Sequence, residues 1–221
     1  YRTEAALMIP LTLRPVREAT LTAAAETSIS PDHRSIAIVE DASLPALLFH
    51  QIEGNQTVEP RRIDLAATLK PIEGYTGPIS LKIAEWSLGS RYLLVEVVRG
   101  ENHEFIRVDS RVDGESPVNL TGITALNISA ALFSGNDSNA VFVLASGELR
   151  QINVSDKAVS APLATGVETI SLFGDGSDLA YVSSDDAMRT VTILSGSKKT
   201  VIRSLAKEVP LRLDTDVYHG Q

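Results

Sequence analysis

The dipeptide Thr-Gly occurs three times in the 221-residue chain, at Thr76-Gly77, Thr121-Gly122 and Thr165-Gly166, so successive copies lie 45 and 44 residues apart. Eight to twelve residues after each copy, an aromatic residue precedes a turn-forming cluster and then an apolar run. These clusters are Trp86-Ser87-Leu88-Gly89-Ser90, Phe133-Ser134-Gly135-Asn136-Asp137 and Phe173-Gly174-Asp175-Gly176-Ser177. A period of about 40 to 50 residues is typical of repeat proteins. The chain is therefore predicted to fold as a set of similar units.

Short runs of β-branched and aromatic residues, separated by Gly, Asn, Asp, Ser or Pro, predict four strands in each unit. The predicted strands are 27–30, 35–39, 47–50 and 62–65; 81–84, 92–97, 104–109 and 117–120; 128–133, 140–144, 148–154 and 159–163; and 167–173, 178–182, 190–195 and 200–205. In the strand 104–109 polar and apolar residues alternate, which predicts one exposed face.

This pattern predicts an all-β chain, a β-propeller built of about four four-stranded antiparallel blades. The predicted blades are 26–77, 78–122, 123–166 and 167–205. Residues 1–25 are expected to form an N-terminal segment, either a pairing strand or a short helix. The run Leu211-Arg212-Leu213-Asp214 resembles the start of a further blade within 206–221. The blades would form an incomplete ring or a small ring latched by its termini, and a pair of β-sandwiches is the alternative fold.

The composition limits the classes of partner and of site. With 28 acidic and 20 basic residues the net charge is −8, and the basic pairs Arg61-Arg62 and Lys198-Lys199 are isolated. Nucleic acid and insertion into a membrane are not expected, because the first needs concentrated positive charge and the second about 18 consecutive apolar residues. The absence of cysteine excludes disulfides and thiolate sites. Since the chain begins at Tyr1, we expect it to be a segment of a longer protein.

Three stretches carry a resemblance to a known family: Ile29-Ser30-Pro31-Asp32-His33-Arg34-Ser35-Ile36-Ala37, Trp86-Ser87-Leu88-Gly89-Ser90-Arg91-Tyr92-Leu93-Leu94 and Phe173-Gly174-Asp175-Gly176-Ser177-Asp178-Leu179-Ala180-Tyr181. They resemble the WD-like repeat of TolB-type β-propellers, which has an aromatic residue, then Ser-Pro-Asp-Gly, and which closes each blade on Leu-Thr, as at Leu120-Thr121. The similarity spans about residues 26–205. The stretch from Trp86 to Gly122 also resembles the propeller part of bacterial envelope proteins with a PEGA domain. The resemblance implies a scaffold that recognises proteins, often at the cell envelope, and it implies no catalytic residue.

Candidate sites in the sequence have simpler interpretations as turns and core residues. The histidines His33, His50, His103 and His219 lie in different units and lack the spacing of a metal motif. The acidic clusters Asp175-Gly176-Ser177-Asp178, Asp185-Asp186 and Asp214-Thr215-Asp216 do not fit a calcium loop. Asp32, Asp137 and Asp175 are predicted to accept backbone N–H bonds in turns. The Asn-x-Ser/Thr triplets at Asn55, Asn119, Asn127, Asn136 and Asn153 are interpreted as turn and edge residues, and Trp86 as a core residue.

We therefore assign no catalytic, cofactor-binding or metal-binding residue and expect no cofactor. The predicted function is a non-enzymatic scaffold or binding module for protein partners, part of a larger protein of the cell envelope or the extracellular space. The alternative is an accessory or gating domain of a hydrolase. Because inserted loops usually distinguish a binding face, the connections 40–60 and 65–74 are the predicted recognition surface, removable without unfolding the domain.

Overall fold

The described part of the chain folds into four separate antiparallel sheets of four strands each, and within each sheet every strand pairs with the next one in sequence. This computed structural model describes residues 26–40, 45–51, 59–135, 137–173, 176, 178–211 and 213. Blade 1 has β1 (Thr27–Ile29), β2 (Ser35–Glu40), β3 (Ala46–Gln51) and β4 (Arg61–Asp64); blade 2 has β5 (Ser80–Trp86), β6 (Tyr92–Arg99), β7 (Asn102–Asp109) and β8 (Val118–Asn119). Blade 3 has β9 (Ile128–Ser134), β10 (Asp137–Ala145), β11 (Glu148–Asn153) and β12 (Ala158–Val159); blade 4 has β13 (Val167–Phe173), β14 (Asp178–Ser184), β15 (Met188–Ser195) and β16 (Lys198–Ala206).

These sheets are propeller blades, so the predicted fold class is confirmed and the alternative of two β-sandwiches is wrong. The first strands of successive blades contact each other, β5 with β9 and β9 with β13. One turn of 3₁₀ helix at Ala66–Thr68 and the short helix α1 at Leu120–Thr124 lie in the connections between blades. The predicted N-terminal segment and most of the predicted further strand lie outside the described residues.

Among the described residues the hydrophobic core consists of three clusters, each between two neighbouring blades. Strand β6 shows why its sequence is a continuous apolar run, since successive side chains of a strand point to opposite faces. Leu93 and Val95 pack against blade 1, whereas Tyr92 and Leu94 pack in the cluster shared with blade 3. Both faces of this strand are therefore buried. The prediction that Trp86 is a core residue is confirmed, because its ring packs edge to face on Phe49 with centroids 6.0 Å apart.

The turn between the first two strands has the same hydrogen bonds in blades 1 and 2. The backbone N–H of Ser35 donates to Ser30 Oγ at 2.9 Å, and that of Tyr92 donates to Ser87 Oγ at 3.0 Å. Each turn ends on a residue in the left-handed region, His33 or Ser90, both with φ of 58°. The Ser-Pro-Asp-Gly pattern thus marks a turn whose fourth position needs positive φ, and here that residue is not glycine.

The predicted alignment of the fourth unit is wrong by one residue. Phe173 was expected to occupy the place of Trp86 and Phe133, but its side chain is exposed at 42%. Leu172 is 7% exposed and lies in the cluster between blades 3 and 4, as Phe133 lies in the cluster between blades 2 and 3. Because neighbouring side chains alternate between faces, only one of the two residues can enter that core.

Strand 104–109 was also predicted incorrectly, because it has no exposed face along most of its length. Arg107 and Asp109 are 5% and 2% exposed. In addition, the predicted strand 117–120 ends at Asn119, which caps α1 by accepting the N–H of Gly122 at 2.8 Å. Arg107 lies in the middle of a run of alternating polar and apolar residues, but it does not face solvent in this blade.

The three Thr-Gly pairs lie in the connections between successive blades, but with different local structures. Thr76-Gly77 is in an irregular segment, Thr121-Gly122 is in α1, and Gly166 has a φ of 65° just before β13. Gly166 also accepts the N–H of Ser184 at 2.7 Å, so the backbones are close. The regular spacing of the Thr-Gly pairs thus reflects their shared position between successive blades and not a shared turn structure.

Gly166→Ala is expected to lower the free energy of unfolding by about 2 kcal/mol, measured by urea denaturation. The added Cβ would lie 2.5 Å from the carbonyl oxygen of Ser184, in a backbone conformation that L side chains rarely adopt. Gly89→Ala is the matched control, because a Cβ there meets no atom within 4 Å. Equal stability of the two variants would contradict this explanation.

Candidate functional site

Charged and aromatic side chains converge at one end of blade 2. The turn from β5 to β6 and the loop from β7 to β8 lie at this end, because consecutive antiparallel strands reverse direction. Tyr92 is the first residue of β6, and Asp109 is the last residue of β7. The loop 110–117 follows Asp109 and is mostly exposed. This end therefore combines two rigid strands with an irregular loop.

Asp109 organises the charges at this end. Its carboxylate is 1% exposed and accepts two bonds from Arg91, from Nε at 3.0 Å and from Nη2 at 2.8 Å. It also accepts the backbone N–H groups of Arg111 at 3.1 Å and Glu115 at 3.2 Å. Burial alone would raise the pKa of Asp109, but the hydrogen bonds from Arg91 and Arg111 outweigh burial and lower it to about 2. The carboxylate is thus ionised at neutral pH.

Two guanidinium groups lie against the ring of Tyr92, with Arg91 Cζ 4.5 Å and Arg107 Cζ 4.3 Å from the ring centroid. Both distances are within the range of cation–π attraction. The carboxylate of Glu115 accepts hydrogen bonds from Arg91, Tyr92 and Arg107. Its Oε1 accepts from Arg91 Nη2 at 3.0 Å and from the Tyr92 hydroxyl at 2.9 Å, and its Oε2 accepts from Arg107 Nη2 at 2.8 Å. We call Arg91, Tyr92 and Arg107 the carboxylate cradle.

The cradle together with the neighbouring Arg111 has an excess of positive charge, in a chain whose net charge is −8. Arg91, Arg107 and Arg111 contact only two carboxylates, those of Asp109 and Glu115, in the part of the chain that the structure describes. Burial and the hydrogen bond to Glu115 raise the pKa of Tyr92, so its hydroxyl keeps its proton and donates it. The arrangement can therefore bind a carboxylate through three converging donors.

The turns beside the cradle are fixed to each other across blades. The N–H of Asp32 in blade 1 donates to Ser90 Oγ in blade 2 at 2.9 Å. Leu88, in the same turn as Ser90, lies close to Gly176 of blade 4, where a Cβ would be 3.0 Å from Leu88 Cδ1. This end of the molecule is consequently a connected surface and not a set of independent loops.

A half-buried carboxylate, that of Glu85, lies between the first strands of blades 2 and 3. Glu85 Oε2 accepts the backbone N–H of Phe133 at 2.7 Å. Burial raises the pKa of Glu85 to about 7, and the hydrogen bond from Phe133 lowers it only in part. The residue before Trp86 therefore joins two blades through its side chain, as Ser28 does in blade 1 by accepting a bond from Trp86 Nε1 at 3.1 Å.

The residues that the sequence singled out lie apart from the cradle, mostly in turns. Asp32 accepts the N–H of Arg34 at 3.0 Å and Asp137 accepts that of Asn139 at 2.9 Å, as predicted. His103 Nδ1 lies 2.6 Å from Glu96 on blade 2. Asn153 accepts the N–H of Asp156, which agrees with a turn residue. Outside the described residues lie His219, Asp175, Asp214, Asp216, Asn55 and Asn136.

Two other kinds of site are absent from the described residues. Within residues 26–213, apart from the gaps given above, no group of three or more His, Asp or Glu side chains is placed to hold a metal ion. Across the same residues no helix has the length and apolar content needed to cross a membrane.

The predicted recognition surface is corrected by the structure. The connection 40–60 is not one loop, because it contains β3 (Ala46–Gln51). Of this segment, 41–44 and 52–58 lie outside the described residues.

The connection 65–74 covers a buried ion pair and cannot be removed without uncovering charge. Leu65 is fully buried, and Arg99 and Glu104 form a pair with side chains 8% and 4% exposed. Lys70 contacts both partners through its backbone, donating to Glu104 Oε1 at 2.9 Å and accepting from Arg99 Nη2 at 2.6 Å. Since leaving a buried charge without its partners is strongly destabilising, deletion of this segment is expected to unfold blade 2.

Comparisons with known proteins support the fold and leave the site unassigned. No family model matches the chain, and no curated protein matches it. An uncharacterised protein from Listeria monocytogenes is similar in structure, with a TM-score of 0.55, 14% identity and coverage of 82% of this chain and 51% of that one. Dipeptidyl peptidase 4 from Porphyromonas gingivalis has a TM-score of 0.51, 12% identity and coverage of 88% and 34%. TolB from Acinetobacter baumannii has a TM-score of 0.42, 16% identity and coverage of 83% and 54%. The chain thus spans about half the length of the Listeria protein and of TolB.

Proposed function

We propose that this chain is a non-enzymatic binding module for a protein partner, and that the partner contacts the end of the blades that carries the cradle. The observation that supports this function is the loop 110–117 beside the cradle. Val112 is 73% exposed at this loop, next to Arg111, whose side chain is 48% exposed. Arginine and tyrosine are enriched where proteins bind each other, and the exposed Val112 side chain adds apolar area that a partner can bury.

The rigidity of this end supports the same function. Turns that are hydrogen-bonded between blades lose little conformational entropy when a partner binds. The bond from Asp32 to Ser90 and the contact of Leu88 with Gly176 provide this restraint. Binding loops on a rigid scaffold are a common arrangement in proteins.

We further propose that the chain is a segment of a larger protein of the cell envelope or the extracellular space. The resemblance of its repeats to TolB-type propellers, and of residues 86–122 to the propeller part of PEGA-domain proteins, supports this location. A second candidate, the accessory or gating domain of a hydrolase, is supported by the fold shared with a peptidase. A low-identity likeness of this kind concerns the fold and not the activity.

Val112→Asp is expected to reduce partner recovery about tenfold in a pull-down from an envelope extract of the source cells, because it places a desolvated charge in the interface. Val201→Asp is the matched control, since Val201 is 61% exposed on β16 of blade 4, in a different blade. Equal recovery by the two variants would exclude this end as the binding surface. A partner cleaved or modified by the wild-type chain would contradict the non-enzymatic part of the proposal.

A further inference from the structure

The contacts of Glu115 fit a carboxylate that can leave the cradle while the donors of the cradle stay in place. Arg107 is on β7 with its side chain 6% exposed, and Tyr92 is on β6, 5% exposed. Glu115 belongs to an irregular loop, and its side chain is 50% exposed. Two of the three donors are therefore buried on strands, whereas the acceptor is a half-exposed side chain of a loop.

Without the Glu115 carboxylate, three donors lose their common acceptor. Arg91 keeps its two bonds to Asp109, but in the part of the chain described Arg107 keeps one hydrogen bond, of 3.3 Å to the carbonyl of Ser138, and its contact with the Tyr92 ring. The Tyr92 hydroxyl and Arg107 Nη2 would then point to the same vacated place. Unpaired buried donors are costly, and a cationic group 6% exposed is especially so.

We propose that the carboxylate cradle of Arg91, Tyr92 and Arg107 is a binding site for a carboxylate of an incoming ligand, and that Glu115 occupies it until the ligand displaces it. This inference rests on the proposed binding role of the same end of the molecule. The chemistry fits a carboxylate because its two oxygens match the spacing of two guanidinium groups and a hydroxyl donor. The carboxylate comes from an acidic polypeptide or from a small free acid.

The occupant lowers the apparent affinity for the ligand. A tethered side chain competes at a high effective concentration, so an external carboxylate binds only the fraction of molecules in which Glu115 has left. Removing Glu115 should therefore increase affinity, which is the opposite of what the loss of an ordinary contact residue would do. This difference in sign separates a displaceable occupant from a structural ion pair.

The test uses the full 221-residue chain and follows the Nε–Hε signals of its arginines by NMR at constant ionic strength. Two probes are titrated, a tetraglutamate peptide with blocked ends and sodium acetate. Glu115→Ala is expected to bind the peptide at least about tenfold more tightly than the wild type. Glu148→Ala is the matched control, because it removes the same charge from a half-exposed pair with Arg150 on blade 3.

Arg107→Lys in the Glu115→Ala chain keeps the charge but removes the planar fork, and it should abolish the gain. Equal affinities of Glu115→Ala and Glu148→Ala would overturn the proposal, whether or not the Arg107 variant folds. Saturation by acetate at the same carboxylate concentration as the peptide would identify a small free acid as the ligand class. Preference for the peptide would identify a polypeptide. Loss of the partner in Val112→Asp without any gain in Glu115→Ala would leave the proposed function in place and refute the cradle.

Discussion

Asp109→Asn is expected to lower the free energy of unfolding by about 2 kcal/mol at neutral pH, because the folded protein lowers the pKa of the Asp109 carboxyl group from 3.8 to about 2. The side chain keeps its size, but an amide cannot accept all the bonds that Arg91, Arg111 and the backbone of Glu115 donate to the carboxylate. Urea denaturation of the wild type and the variant measures the loss directly.

The effect of Asp109→Asn should also depend on pH. Because the folded pKa of Asp109 is about 2, below its ordinary value of 3.8, the carboxylate contributes stability above about pH 4 and loses it as the pH falls towards 2. The two unfolding free energies should therefore converge in acid. Asp113→Asn, in the same loop but exposed, is the control. A loss of equal size in both variants would mean that the network around Asp109 does not stabilise the fold.

Glu85→Gln is expected to stabilise the protein by up to about 3 kcal/mol near pH 8 and to change stability little at pH 4.5. The folded pKa of Glu85, about 7, lies above its ordinary value of 4.5 because the carboxyl group is buried. A raised pKa means that the folded state holds the proton more tightly, so this contribution is complete below pH 4.5 and is lost as the pH rises through about 7. Glutamine stays neutral and can still accept the N–H of Phe133.

Thermal or urea unfolding of Glu85→Gln at the two pH values measures this difference. Glu26→Gln provides the comparison, because Glu26 also accepts a backbone N–H between first strands, that of Ile83 at 2.9 Å, but is exposed. A change within about 0.5 kcal/mol is expected for Glu26→Gln at both pH values. If Glu85→Gln also changed the free energy of unfolding by no more than this at both pH values, ionisation of the Glu85 carboxyl group would not destabilise the folded protein.

The strands could be predicted from the sequence because two independent signals agree along most of the chain: runs of β-branched and aromatic residues, and turn residues between those runs. Turn residues separate the strands, as at Ser146-Gly147, where positive φ at both residues closes the hairpin between β10 and β11. The register of β13 was harder to predict. Leu172 and Phe173 are both apolar, and only the face that meets blade 3 decides which is buried.

The cradle could not be predicted, because no local pattern contains it. Arg91 comes directly before the strand that Tyr92 begins, Arg107 lies in the next strand, and Glu115 comes from a loop. Charged residues in an alternating run usually indicate solvent, and Arg107 was interpreted in that way. Its burial depends on blade 3, whose Ser138 carbonyl it contacts. The only local hint was the number of arginines between residues 91 and 111.

Because the three core clusters lie between blades, each blade depends on its neighbours for its stability. Among the described residues no sheet has a hydrophobic core of its own, because each cluster is formed by two neighbouring blades. The free energy of unfolding is then approximately a sum of contributions from the interfaces between neighbouring blades. Blades 2 and 3 are supported on both faces within the described residues, whereas blades 1 and 4 share one described core each. Amide hydrogen exchange should then be slowest in β6 and β10 and faster towards β1 and β16. A gene duplication that adds a sheet of this type succeeds only if both of its faces match the interfaces that it interrupts.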